Sequence, residues 1–232
     1  MKKAAGFIAV WAAIALATPA MKANAQSPFE GTITMETSGM GDDEKHNVLI
    51  NIKGTQMEID IDAGVQGQFR LYPDVQKHKL YLVMTAQRLG MEQALPEKSG
   101  KTKIELKPLG KKETIDGHPA EAYQISTAQA DVTLWETSDL PDNIREAYQS
   151  ALPHILQEDK QMIAALDELG KKKMVPVRID LSIKAMAQKI SLELVKVEPK
   201  KLDDALFVVP KDITFQPMPH MGGGDPGEGD VH

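Results

Sequence analysis

From Phe29 onward most of the chain alternates apolar and polar residues with a period of two, the pattern of strands with one wet and one dry face. Phe29, Ile33 and Met35 alternate with Glu30, Thr32, Thr34 and Glu36, and Val48, Ile50 and Ile52 alternate with Asn47 and Asn51. Lys53-Gly54-Thr55 makes a turn into Met57, Ile59 and Ile61, so these runs predict a hairpin. Further runs follow at Phe69–Leu71, Leu80–Met84, Ile104–Leu106, Ala122–Ser126 and Val132–Glu136, with Asp116-Gly117 as a turn. Residues 86–100 lose the alternation and read as a loop.

The period changes at Asp139. Ser138 or Asp139 can cap a helix, Pro141 fits its first turn, and Ile144, Ala147, Tyr148, Ala151 and Leu152 share one face. Pro153 should break or kink it. A second amphipathic stretch carries Ile155, Leu156, Met162, Ile163, Leu166 and Leu169, and ends at Gly170 with three lysines. Val175 to Ile183 then alternates as a strand. Ile190, Leu192 and Leu194 follow, and the phase slips at Val195 and Val197, which predicts a bulge. Leu206–Val209 reads as a last short strand.

These elements predict an α+β, mainly β fold: a curved antiparallel half-barrel of about ten strands. Its helical insert, 139–170, is expected to lie over the dry face, because each needs the other to exclude water. Residues 26–216 form a single domain on this reading. The segment 217–232 is rich in Pro, Gly and Asp, and is expected to be a disordered tail.

Residues 1–25 read differently. Lys2 and Lys3 precede an eleven-residue apolar run, Phe7–Ala17, and Ala23 and Ala25 are the small residues a signal peptidase reads, with Gln26 next. The run is too short to span a bilayer. The chain is therefore expected to be exported and periplasmic or secreted. It has no cysteine, which rules out disulfides, thiolate metal sites and N-terminal lipoprotein acylation. Loss of Lys2, Lys3 and Lys22 from the 27 basic residues takes the net charge from −6 to −9. That balance disfavours nucleic acid and anionic lipid surfaces as partners.

Three stretches carry a resemblance: Ile115-Asp116-Gly117-His118-Pro119-Ala120-Glu121-Ala122-Tyr123, then Val132 to Leu140 (VTLWETSDL), and Leu206-Phe207-Val208-Val209-Pro210. With Phe29-Glu30-Gly31 they make the chain similar to an exported bacterial domain-of-unknown-function family, number four-four-one-two. That family in turn resembles the periplasmic lipoprotein-carrier half-barrel. The resemblance implies a compartment and an apolar concavity lidded by helices, and no reaction. Family members often carry a cysteine at the position of Ala120, so any role of that thiol is absent here.

Trp135, Ile144, Tyr148, Leu152, Ile155 and Met162 are the candidates for lining an apolar-ligand cavity, since aromatics and Met adapt to irregular apolar shapes. The competing reading is an ordinary core that fills the groove. Glu58, Asp60 and Asp62 form an acidic row best read as a solvated face. Met218, His220, Met221 and His232 make a poor preformed metal site. His78, His118 and His154 show no catalytic spacing, and no nucleophile elbow, phosphate loop or zinc-protease helix occurs. The expectation is a non-enzyme without cofactor or metal. It would bind or carry a lipid or lipoprotein acyl chain, or serve as an envelope interaction protein with a packed core and a protein partner.

Overall fold

A computed structural model describes residues 27–39, 44–62, 64, 67–74, 76–94, 106–126, 130–155, 160–184 and 188–217. Ala23, Ala25 and Gln26, and the tail beyond Pro217, lie outside the described residues. The protein is α+β and mainly β: one curved, unclosed sheet with two helices placed before the last strands.

Nine strands precede the helices: β1 (Glu30–Ser38), β2 (His46–Lys53), β3 (Gln56–Asp62), β4 (Gln68–Asp74), β5 (Lys79–Met84), β6 (Leu89–Ala94), β7 (Lys107–Ile115), β8 (His118–Ser126) and β9 (Ala130–Thr137). Then come α1 (Asp142–Ile155), α2 (Lys160–Lys171), β10 (Val175–Ile183), β11 (Gln188–Pro199) and β12 (Phe215–Pro217). The sheet order is β12-β6-β5-β4-β3-β2-β1-β11-β10-β9-β8-β7. Two meanders are thus joined where β1 pairs with β11, and every pairing is antiparallel except that of β12 with β6.

The sheet has twelve strands among the described residues, more than the ten or so the alternation indicates. β6 falls in the expected loop, because Gly90 and Glu92 break its apolar pattern. Gly90 has no side chain where Phe215 and Ile213 press in; a Cβ there would lie 2.6 Å from the Phe215 ring. Leu206–Val209 is no strand: Asp203 caps a 3-10 turn at Asp204–Phe207 by accepting from the Ala205 N–H. The bulge expected near Val195 is present, since Thr34 pairs with Lys196 and Met35 with Leu194, leaving Val195 unpaired and exposed. A second register shift falls between Pro176 and Arg178; Pro176 has no N–H to give the ladder. The helix α1 runs through Pro153 and ends two residues later.

Cross-strand register defines the two faces. Ile33, Met35, Ile50, Ile59, Leu71, Leu134, Ile179 and Leu194 lie on the inner face and are buried. Tyr148, Ala151, Ala165, Leu166 and Leu169 from the two helices join the same cluster. Tyr148 is 1 % exposed and its hydroxyl donates to Met35 Sδ at 3.1 Å, which seats α1 on β1. The chain after β11 crosses the other face. Lys53 Nζ donates to Leu202 O and pairs with Asp204, and the Tyr81 and Phe215 rings meet edge to face.

Candidate functional site

The middle of the concavity is filled, so ligand space must be sought at its margins. One margin holds a cleft of about 870 Å³ between α1 and the β2–β3 hairpin. Its apolar walls are Phe29, Ile52, Met57, Ala147, Phe207 and Val209, and Asp74, Asn143, Glu146 and Ser150 supply polar groups. Gly54, in the left-handed region at φ 61°, turns the hairpin tightly beneath it. The size lies within the range of small-molecule sites, roughly 300–1,000 Å³.

Three of the residues expected to line a cavity, Trp135, Ile144 and Tyr148, occupy other places. Trp135 is on the outer face: Leu134 and Glu136 point inward, so the residue between them points out. There its Nε1 donates to Asp180 at 3.0 Å and Arg178 stacks over the ring at 4.3 Å. Tyr148 is core, and Ile144 packs half-buried against that core. None of the three lines the cleft, to which α1 presents Asn143, Glu146, Ala147 and Ser150 instead. Leu152 and Ile155 belong to α1 and Met162 to α2, but their side chains lie outside the described residues.

The acidic row also departs from expectation. Glu58 is 1 % exposed, not solvated. Asn51 Nδ2 donates to it at 2.7 Å and Thr32 Oγ1 donates to Asn51 at 2.6 Å, while Arg70 lies between Glu58 and Asp60 at 3.7 and 3.5 Å. Burial raises both carboxyls above their ordinary values, opposed by Asn51 at Glu58 and by Arg70 at Asp60. Arg70 faces both carboxyls as an ion pair, although its Nε makes no hydrogen bond, and the network serves the structure. Among the described residues no group of three or more His, Asp or Glu could hold a metal ion. His118 Nδ1 lies 3.2 Å from Asp139, and His78 sits at φ 51° in the β4–β5 turn.

A second hollow, about 690 Å³, opens at the β7–β9 corner. Glu136, Glu121, Lys112, Ser138 and Met174 are among its lining residues. Glu136 is 1 % exposed and neither carboxyl oxygen has a hydrogen-bond partner. Burial pushes its carboxyl well above the ordinary range, and its proximity adds to the upward push that burial gives the Tyr148 hydroxyl. Lys112 and Glu121 pair at 2.5 Å, and Arg178 binds Glu113 at 2.8 Å.

A family model for a domain of unknown function, DUF4412, matches residues 29–213. The chain belongs to the DUF4412 family. Among solved structures it is similar to PNGF-II in its C2 crystal form, with 13 % identity and a TM-score of 0.44, covering 82 % of this chain and 31 % of that one. The DUF4412 chain thus spans about a third of the length of PNGF-II. It is also similar to a DUF1329 family protein from Desulfovibrio piger, with 9 % identity and a TM-score of 0.34, covering 77 % of this chain and 88 % of that one. A third similarity is to a domain described as a putative outer membrane lipoprotein-sorting protein from Vibrio parahaemolyticus, with 9 % identity and a TM-score of 0.33, covering 76 % and 87 %. No curated protein matches the sequence.

Proposed function

We propose that this DUF4412 protein is an exported, non-enzymatic carrier that holds an apolar ligand, a lipid or a lipoprotein acyl chain, in the cleft between α1 and the β2–β3 hairpin. The observation that carries the reading is the cleft itself: about 870 Å³ walled by Phe29, Ile52, Met57, Phe207 and Val209. Each methylene buried there contributes roughly 0.8 kcal/mol, so ten contribute about 8 kcal/mol towards the cost of immobilising one chain. Asn143, Glu146 and Ser150 can hold the ligand's polar end. Export to the periplasm is supported by the leader, whose removal leaves a strongly acidic chain. Among the described residues no helix is long and apolar enough to cross a membrane.

Displacement of a fluorescent fatty acid from the chain beginning at Gln26 tests the proposal. Saturable, competable binding at one site per chain is expected, and an unsaturable signal would count against it. A second reading, an envelope interaction protein without ligand, draws support from the core that Tyr148, Leu166 and Leu169 fill. It predicts one stoichiometric protein in cross-linked cells and no co-purifying lipid.

A further inference from the structure

We propose that the hollow over Glu136 is a binding site for a primary ammonium group. The alternation that turns Val132 and Leu134 inward turns Glu136 inward with them, directly opposite Glu121 on β8. The carboxyl is fixed on a central strand, not on a mobile loop. Its two oxygens are buried and without a hydrogen-bond partner, and the residue is among those that line the hollow. Folded proteins leave few buried polar atoms in that condition, because each costs the desolvation of the group with nothing returned.

The surrounding charges are already matched. Lys112 is held by Glu121, and Glu113 by Arg178, so among the described lining residues Glu136 is the acid without a cation. Lys172 lies over the Tyr123 ring at 5.8 Å. An anionic ligand would meet Glu121 and Glu136 together. A hydroxyl would bring a donor without charge. A primary ammonium brings a compact positive charge with three donors, enough to serve both oxygens once the carboxyl passes its proton to solvent. No residue lines both this hollow and the apolar cleft, so the site stands whether or not the cleft takes a lipid.

The test is calorimetric titration of the chain beginning at Gln26 with hexylamine, hexanol and hexanoate at pH 7. Hexylamine should bind at least tenfold tighter than hexanol, and hexanoate not at all. Glu136→Gln should reduce hexylamine to the level of hexanol, whereas Glu136→Asp should keep a preference for the amine. Methyl-labelled methionine spectra give a readout that needs no variant: hexylamine should shift Met174, which lines the hollow, and leave Met57, in the cleft, unmoved. Equal binding of amine and alcohol, a folded Gln variant that keeps the preference, or a shift at Met57 alone would each overturn the proposal. Added dihexanoylphosphatidylethanolamine identifies the source of the ammonium: displacement of hexylamine assigns it to a lipid headgroup, and retention to a free amine.

Discussion

Replacing Glu136 with Gln should make the protein more stable at neutral pH, by an amount that grows with pH. The side chain is 1 % exposed and unpartnered, and burial holds its carboxyl well above the usual carboxylate range. The unfolded chain releases this proton near the ordinary value of about 4.3. Above that pH the folded protein still holds it, so the folded state binds more protons and loses stability as pH rises towards its own raised value. Each pH unit in that window costs about 1.4 kcal/mol, so the loss cannot exceed about 4 kcal/mol by pH 7. Gln carries a similar buried polar group but never ionises, so the loss is absent in the variant. Glu58 and Asp60, also raised by burial, act alike in both proteins and cancel. Urea unfolding from pH 4 to 8 can be followed through buried Trp135, the one tryptophan left after Gln26. The variant's advantage should be smallest below about pH 4.3 and rise above it. A difference that does not change with pH would show that Glu136 is ionised and compensated, and the reasoning would fail.

Other perturbations separate the core, the cleft and the C-terminal strand. Tyr148→Ala should cost about 3–5 kcal/mol in urea unfolding, because it empties the seat of α1 on β1, whereas Tyr148→Phe, which loses only the contact with Met35 Sδ, should cost about 1 kcal/mol. Met57→Asp, at a half-buried position in the cleft wall, should abolish binding of a fluorescent fatty acid while leaving a cooperative unfolding transition. Gly90→Val should push Phe215 and Ile213 off β6, so that limited proteolysis cuts near the C-terminal end of the described chain while the core melts as before.

Local patterns were enough to read the strands that flank the helices, because each alternates over a face that is wet on one side. The bulge at Val195 was equally legible, as a slip of phase within one strand. What escaped reading depends on distant chain. Glu58 looks solvated beside Asp60 and Asp62, yet the segment that closes over that face returns 149 residues beyond Lys53. The strand β6 is recognisable only once Phe215 fills the space above Gly90. Trp135 stands out by its size, although the alternation of Val132 and Leu134 assigns it to the outer face and Glu136 to the inner one. That period was the available signal for the unpartnered acid. The cleft had none, since its walls come from β2, β3, β4, α1 and the 3-10 turn, brought together by the fold alone.

The carrier proposal puts an acyl chain between α1 and the β2–β3 hairpin. Photolabelling with a diazirine-bearing fatty acid, followed by peptide mass spectrometry of the chain beginning at Gln26, locates that chain. Labels should concentrate on Phe29, Met57, Ala147 and Phe207 and vanish when unlabelled fatty acid competes. Labels scattered over the surface, or confined to the β7–β9 corner, would contradict it.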